Sequence, residues 1–239
     1  MADDTEKAII YAFDQSGAVA ADLRERALSY LRDLQASPDG WKQCVPRYQS
    51  TAYPEVRFWC LQTLADAVRS HHASLSDQDA SALRAHVASW IHDAAARAGD
   101  PAAAAPAFIK NKLAQVCARL AGAEYPARWP SFFADLLQLA ANAGDGGLDA
   151  LVRVLDAVDD EVISSGDTQH NSRGAGGNRG GNAHHSGGAD ADETPASVRV
   201  KDAMRAEPGL LPRIVDALRA VIASGLERAT GVTGVTGVT

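Results

Sequence analysis

Apolar residues recur along most of this chain at the three- and four-residue spacing of an amphipathic helix. The clearest case is Ile109, Leu113, Val116 and Leu120, which fall on one face of a helix. The alternation of apolar and polar residues that is typical of β-strands does not occur. The pattern therefore predicts an all-α chain.

Two prolines mark the end of that helix. Pro126 and Pro130 lack an amide hydrogen, and each disfavours helical geometry at the residue before it. Pro130 also suits the first position of a new helix, and the apolar positions that follow predict one over residues 131–143. Because the connector is short, we expect the two helices to be antiparallel.

The same reasoning predicts helices along the rest of the chain. They span residues 4–14, 19–35, 38–48 with a kink or break near Pro46, 55–71, 77–97, 147–163, 198–205 and 208–228. Ser76, with Asp79 three residues later, resembles a capping box. The side chains predicted to face inward include Tyr30, Val152, Leu211 and Ile222.

Residues 19–143 are thus predicted to form three consecutive helix pairs. A period of roughly 40 to 50 residues per pair is typical of HEAT-like arrays, in which each pair buries its apolar face against its neighbours. The predicted fold is an α-solenoid of HEAT-like antiparallel helix pairs. Arrays of this kind usually bind other molecules.

Four regions follow from composition. Residues 1–163 carry the N-terminal repeats and residues 198–228 the last helices. Between them, residues 164–197 are too rich in glycine and polar side chains to pack, which predicts a disordered loop. Residues 229–239 are a low-complexity tail with a three-residue repeat.

Composition also limits the class of protein. The chain is 46% apolar with a net charge of -7, and it contains no apolar run of about 18 residues and no secretory signal pattern. We therefore expect a soluble intracellular protein without membrane insertion. Cys44, Cys60 and Cys117 are isolated in helical patterns, which favours buried free thiols over disulfides or a zinc site.

No motif nominates a catalytic centre, so the sequence predicts a protein that is not an enzyme and has no cofactor or metal. The glycine run at 174–181 lacks the Lys-Ser/Thr ending of a phosphate loop. In the same segment His170, His184 and His185 have no cysteine partners, so solvated side chains are favoured over a metal site.

Several residues leave two interpretations open. Trp41, Trp59, Trp90 and Trp129 fit a core better than a binding surface. The basic stripe of Lys110, Lys112 and Arg119 suits phosphate or an acidic partner, and a solvated face explains it equally well. The acidic cluster of Asp156, Asp159, Asp160 and Glu161 suits a solvated face or a cationic partner.

Four segments carry a family resemblance in a fixed order. They are SPDGW at 37–41, EVRFWCLQTL at 55–64, FIKNKLAQVCARL with EYPARWPSFFADLL within 108–137, and VKDAMR at 200–205. Through them the chain resembles the N-terminal region of the exportin-T family, the nuclear export receptors for transfer RNA in the importin-β (karyopherin) superfamily. The resemblance covers most of residues 20–225.

The resemblance implies a right-handed stack of HEAT repeats that binds Ran-GTP and, in the full-length receptor, holds tRNA. It also implies shuttling between nucleus and cytoplasm through the nuclear pore, with contacts to nucleoporins. In such stacks the second helix of each pair lines the concave side, here residues 38–48, 77–97 and 131–143. Placement on these helices nominates as Ran-binding residues Lys42, Gln43, His86, Asp93, Asp135 and Gln138. A HEAT-repeat scaffold, or another exportin that carries protein cargo, is the alternative.

Overall fold

The computed structural model describes residues 4–164 and 195–230, and the regular structure in these ranges is helical. The helices are α1 (Asp4–Phe13), α2 (Ala21–Ala36), α3 (Gly40–Ser50), α4 (Pro54–His71), α5 (Asp77–Ala96), α6 (Ala107–Glu124), α7 (Phe132–Asn142), α8 (Gly144–Val158), α9 (Ala196–Ala206) and α10 (Leu210–Thr230). A 3-10 turn follows α4 at His72–Ser74, and a π turn continues α8 over Asp159–Ser164. The all-α prediction is confirmed.

The helices pack in two rows. Helices α4, α6 and α8 lie side by side in the first row. In the second row, the Tyr48 ring of α3 packs against the Trp90 ring of α5 at a tilt of 36°, with 4.2 Å between centroids, and α5 and α7 line a common groove. Helix α7 also packs on α8, and α5 contacts both α6 and α8. The array is HEAT-like, as the helical period predicts. The predicted pairing differs, because the sequential helices that pack most closely are α3 with α4 and α7 with α8, not α4 with α5 and α6 with α7.

Both ends of the array have additional helices. Helices α1 and α2 pack on each other, and α1 also contacts α4. At the other end, α9 packs on the π turn and on the end of α6, where Arg199 donates a hydrogen bond to the carbonyl of Gly122 at 2.6 Å. Helix α10 lies against α7 and α8. The helices on either side of residues 165–194 therefore belong to one packed array.

Local sequence signals account for most helix ends. The Ser76 hydroxyl accepts a hydrogen bond from the Asp79 amide at 3.1 Å, as the capping pattern predicts. Pro54 is the first residue of α4. Pro46 lies inside α3, which continues to Ser50 instead of breaking, because one missing hydrogen bond is offset by the buried residues on either side of it.

The start of α7 differs from the prediction. The helix begins at Phe132 instead of Pro130, since the amides of Arg128 and Trp129 both donate to the carbonyl of Glu124 and extend the turn. The Trp129, Phe132 and neighbouring Phe133 rings then meet edge to face. All four tryptophans are buried, which confirms the core interpretation.

Four side chains predicted to face inward are exposed instead. Tyr30 turns its hydroxyl to Thr5 at 2.8 Å and leaves its ring half in solvent. Val152 lies on the open side of α8, and Leu211 and Ile222 lie on the side of α10 that no described helix covers. These predictions were wrong because an apolar stripe does not reveal which neighbours are present to cover it.

Some sequence predictions lie outside the described residues. They concern most of the predicted disordered loop, including the glycine run and the three histidines, and most of the predicted tail. Within the described ranges, helical structure extends slightly further than expected, since the π turn ends at Ser164 and α9 begins at Ala196. None of the described helices is long and apolar enough to cross a membrane.

Candidate functional site

A groove of about 830 Å³ separates α5 from α7 in the second row. Helix α5 forms one wall, and helix α7 with the turn before it forms the other. The charged and amide side chains that line it are Arg84, His92, Asp93, Arg128, Asp135, Gln138 and Asn142. Because it is open and lined by both signs of charge, the groove suits a polar protein surface better than a small apolar ligand.

A buried carboxylate lies behind one wall of this groove. Glu124, the last residue of α6, is buried and carries a side chain with no exposed surface. His72 Nε2 donates to its Oε1 at 3.0 Å, and Arg84 Nη1 donates to its Oε2. A buried charge needs such partners because desolvation alone is costly. The three residues tie the end of α6 to α5 and to the 3-10 turn.

The pKa of Glu124 reflects this pairing. Burial by itself would raise the pKa, but the hydrogen bonds from His72 and Arg84 outweigh it and hold the pKa below its ordinary value. The carboxylate is therefore ionised at neutral pH and acts as a fixed acceptor for Arg84.

Three of the six predicted Ran-binding residues line the groove. Asp93 lies on the α5 wall, and Asp135 and Gln138 lie on the α7 wall. Asp135 accepts hydrogen bonds from the Ser131 hydroxyl at 2.8 Å and from Trp129 Nε1 at 3.4 Å. These bonds fix the start of α7 and hold the Asp135 carboxylate at the groove wall.

The other three predicted residues lie outside the residues that line the groove. Lys42 pairs with Asp39 at 2.9 Å and with Asp79 of α5 at 3.1 Å. The hydrogen bonds to Asp39 and Asp79 raise the pKa of Lys42. The His86 ring is partly buried and stacks near Trp90, with 6.0 Å between centroids, whereas Gln43 is exposed on α3.

Sequence reasoning did not find His72, Arg84, Glu124 and Arg128. Glu124 is 52 residues from His72 and 40 residues from Arg84, so no local pattern links them. The one available signal was a carboxylate at the end of an apolar helix, where it opposes the helix dipole and a cationic partner would be favourable.

The basic stripe contacts the acidic cluster at one ion pair across the first row, and Lys110 pairs with an acid outside the cluster. Arg119 pairs with Glu161 at 2.7 Å, and Lys110 pairs with Asp149 at 2.7 Å. The cationic partner of Glu161 is therefore inside the chain. Lys112 Nζ donates to Gln115 at 2.6 Å and lies 5.8 Å from the Phe58 ring.

A second cleft, of about 690 Å³, opens on the first row between α6 and α8. Phe58 and Phe108 are exposed at its edge with 6.0 Å between ring centroids. Acidic side chains of the α8 region, including Asp156 and Asp160, line its other side.

The described residues offer little for covalent or metal chemistry. Cys44, Cys60 and Cys117 are buried free thiols, as predicted, and burial raises the pKa of Cys117 to about 12. In residues 4–164 and 195–230, no three acidic, histidine or cysteine side chains cluster in a way that could hold a metal ion. The groove is a candidate binding surface.

Comparisons with known proteins support the family resemblance. The family model of exportin 1-like proteins matches residues 106–175. Exportin-T of Arabidopsis thaliana is 37% identical over 168 residues, which is 68% of this chain and 16% of the relative. Exportin-T of Oryza sativa is 34% identical over 210 residues, which is 86% of this chain and 19% of the relative. The more distant protein EXPORTIN 1B of Arabidopsis thaliana is 26% identical over 156 residues, 65% of this chain and 14% of its own length.

The chain thus spans less than a fifth of the length of these relatives. The matched region includes α6, α7 and α8, which build one wall of the groove and the helices behind it. Sequence similarity and the helical array agree, and the chain belongs to the exportin family, with exportin-T-type similarity over most of its length.

Proposed function

We propose that this chain is part of a nuclear export receptor and that it binds Ran-GTP through the α5–α7 groove. The supporting observation is the groove itself. It lies on the helices that the exportin resemblance assigns to the partner side, and Asp93, Asp135 and Gln138 line it. Its mixture of acids, bases and amides suits the charged surface of a GTPase.

Cargo and transport complete the proposal. In the full-length receptor, tRNA is the cargo, and the receptor shuttles between nucleus and cytoplasm through the nuclear pore. The exposed pair Phe58 and Phe108 on the first-row cleft offers an apolar surface for nucleoporins. Within the described residues we assign no position to tRNA.

A pull-down tests the Ran assignment. The chain is immobilised and presented with Ran locked to GTP or loaded with GDP, and retention of the GTP form is expected. Charge reversal at the groove by Asp93→Lys or Asp135→Lys is expected to reduce that retention. The matched control Glu25→Lys changes an exposed acid on α2, away from the groove, and should leave retention unchanged. Equal retention of both nucleotide forms, or of neither, would contradict the proposal.

A second candidate is an exportin that carries protein cargo, or a HEAT-repeat scaffold. The match to the exportin 1-like family model and to EXPORTIN 1B favours it. Cargo decides between the two proposals. Ran-GTP-dependent retention of tRNA by the full-length receptor supports the tRNA exportin, and its absence together with Ran-GTP binding supports the second candidate.

A further inference from the structure

Glu124 organises both walls of the α5–α7 groove. Its carboxylate holds the guanidinium of Arg84 on the α5 wall. Its backbone carbonyl accepts the amides of Arg128 at 2.7 Å and Trp129 at 3.2 Å, which shapes the turn that starts the α7 wall. One buried residue thus sets the position of two arginines that line the same groove.

The two arginines lie at the end of the groove nearest the start of α5. Arg128 pairs there with Asp77, the first residue of α5, at 3.2 Å. Asp77 is 91% exposed, and an ion pair in solvent contributes little, so another carboxylate can replace it. Arg84 is held by Glu124 and by Ser81 at 3.3 Å, and its side chain is 23% exposed.

We propose that this end of the groove binds a carboxylate of an acidic segment of a protein partner, between Arg84 and Arg128. Glu124 is the positioning residue of the site and does not contact the partner. A planar guanidinium matches a carboxylate through paired N–H donors, and a buried acceptor behind it keeps that fork in place. This inference rests on the proposed function, because it takes the α5–α7 groove as the surface that contacts the protein partner.

The surrounding charges favour a protein over a nucleic acid. Asp93 and Asp135 line the same groove, and the whole chain carries a net charge of -7. A polyphosphate backbone needs several cations in a row and is repelled by such acids. A protein segment can present a single acid to the arginines and place uncharged or basic residues beside the two aspartates.

Fluorescence anisotropy with labelled probes tests the proposal on the whole chain. The probes are a short glutamate peptide with one glutamate among serine and lysine residues, the same peptide with glutamine in place of the glutamate, and a single-stranded RNA oligomer. We expect the glutamate peptide to bind more tightly than the glutamine peptide, and Arg84→Ala or Arg128→Ala to weaken its binding by about tenfold each, the usual effect of removing a charge-assisted hydrogen bond. Arg205→Ala is the matched control, since Arg205 forms an exposed pair with Asp202 on α9.

The positioning role of Glu124 has its own readout. Glu124→Gln keeps the shape but removes the charge that holds Arg84, and it is expected to weaken binding of the glutamate peptide several-fold. In the Glu124→Gln/Arg84→Ala double variant the losses should not add, because both changes disable the same contact. Additive losses would show a merely structural role and contradict the positioning assignment. Circular dichroism checks the fold of each variant, and if Glu124→Gln or Arg84→Ala does not fold, Arg128→Ala decides the carboxylate site, since the Arg128 side chain is half-exposed and pairs with Asp77 rather than with Glu124.

The outcomes separate this inference from the Ran proposal. Ran-GTP retention without binding of the glutamate peptide, or glutamate-peptide binding that both arginine variants leave unchanged, overturns the carboxylate site alone. RNA binding that the same variants abolish overturns it in favour of a nucleic acid. Arginine-dependent binding of the glutamate peptide without Ran-GTP retention keeps the carboxylate site and overturns the Ran assignment.

Discussion

Helices α6 and α10 both carry apolar residues at helical spacing, but their surroundings are very different. Ten of the 18 residues of α6 are buried, because α4 and α8 flank it in the first row and α5 packs beneath it. Helix α10 is longer and buries Leu210 and Ile214 against α7 and α8. On its other side Leu211, Val215, Ile222 and Leu226 are exposed. Periodicity therefore identifies a helix, and neighbours decide how much of it is buried.

The difference follows from how a solenoid is stabilised. Each repeat contacts only adjacent repeats, so a helix with neighbours on both sides gains burial twice and an end helix gains it once. Each large apolar side chain that becomes fully buried contributes roughly 1.5–3 kcal/mol. We thus expect the stability of the described array to concentrate around α6 and to decline toward α10.

Truncation of one leucine in each helix gives the largest expected effect. Leu120 of α6 has no exposed surface, and Leu120→Ala is expected to lower the free energy of unfolding by about 3–4 kcal/mol through lost burial and a cavity. The matched change in α10 is Leu226→Ala at a side chain that is 62% exposed, and it should cost less than about 0.5 kcal/mol. Chemical denaturation measures both, and equal losses would contradict the comparison.

The sequence was sufficient to predict the helices of both regions. The bounds of α5 were predicted to within a residue, because Ser76 provides a local cap and the apolar spacing runs uninterrupted to Ala96. The start of α7 was predicted at Pro130 or Ser131 and lies at Phe132, since hydrogen bonds to the Glu124 carbonyl extend a turn that the prolines alone do not specify. Local chemistry determines helix ends only where the cap itself is local.

The candidate site was less predictable. Helix position alone assigned Asp93, Asp135 and Gln138 to the second helix of each pair. All three line the groove, because α5 and α7 lie in the same row. Glu124 and Arg84 were not found, since their contact joins residues 40 positions apart and depends on how α5 packs beside α6. The exposed stripe of α10 was missed for the same reason, because burial depends on neighbours.

Removal of a charge from each helix gives the next largest effect. Glu124→Ala at the end of α6 leaves Arg84 and His72 without their buried acceptor, and it should cost about 3 kcal/mol of unfolding free energy. On α10, Asp216 pairs with Arg219 at 3.2 Å on an exposed surface, so Asp216→Ala should cost less than about 0.5 kcal/mol. Thermal unfolding of the two variants checks the difference, and a loss at Asp216 as large as at Glu124 would refute it.

Acid should lower the free energy of unfolding by protonating the Glu124 carboxylate at the end of α6. The pKa of Glu124 is lowered in the folded chain from an ordinary value of 4.5, so its stabilisation is complete above about pH 4.5. It is lost as the pH falls through the folded pKa. Asp149 and Glu161 also have lowered pKa values, since hydrogen bonds from Arg153 and Arg119 outweigh burial. These two acids add to the acid sensitivity of the wild type, so the contribution of Glu124 is isolated by comparing the wild type with Glu124→Gln. The variant should lose less unfolding free energy between pH 5 and pH 3, and parallel curves would show that Glu124 contributes nothing to acid sensitivity.

The smallest expected effects have opposite signs in the two helices. Alanine is favoured over glycine inside a helix by up to about 1 kcal/mol when space permits. At Gly225 of α10 a Cβ would meet no atom within 4 Å, so Gly225→Ala should raise the free energy of unfolding by about 0.5–1 kcal/mol. At Gly122 of α6 a Cβ would lie 2.8 Å from Cγ2 of buried Val162, and overpacking should outweigh the helical gain and cost about 1 kcal/mol net. Denaturant titration resolves changes of this size, and stabilisation by both substitutions would show that α6 has as much free space around it as α10.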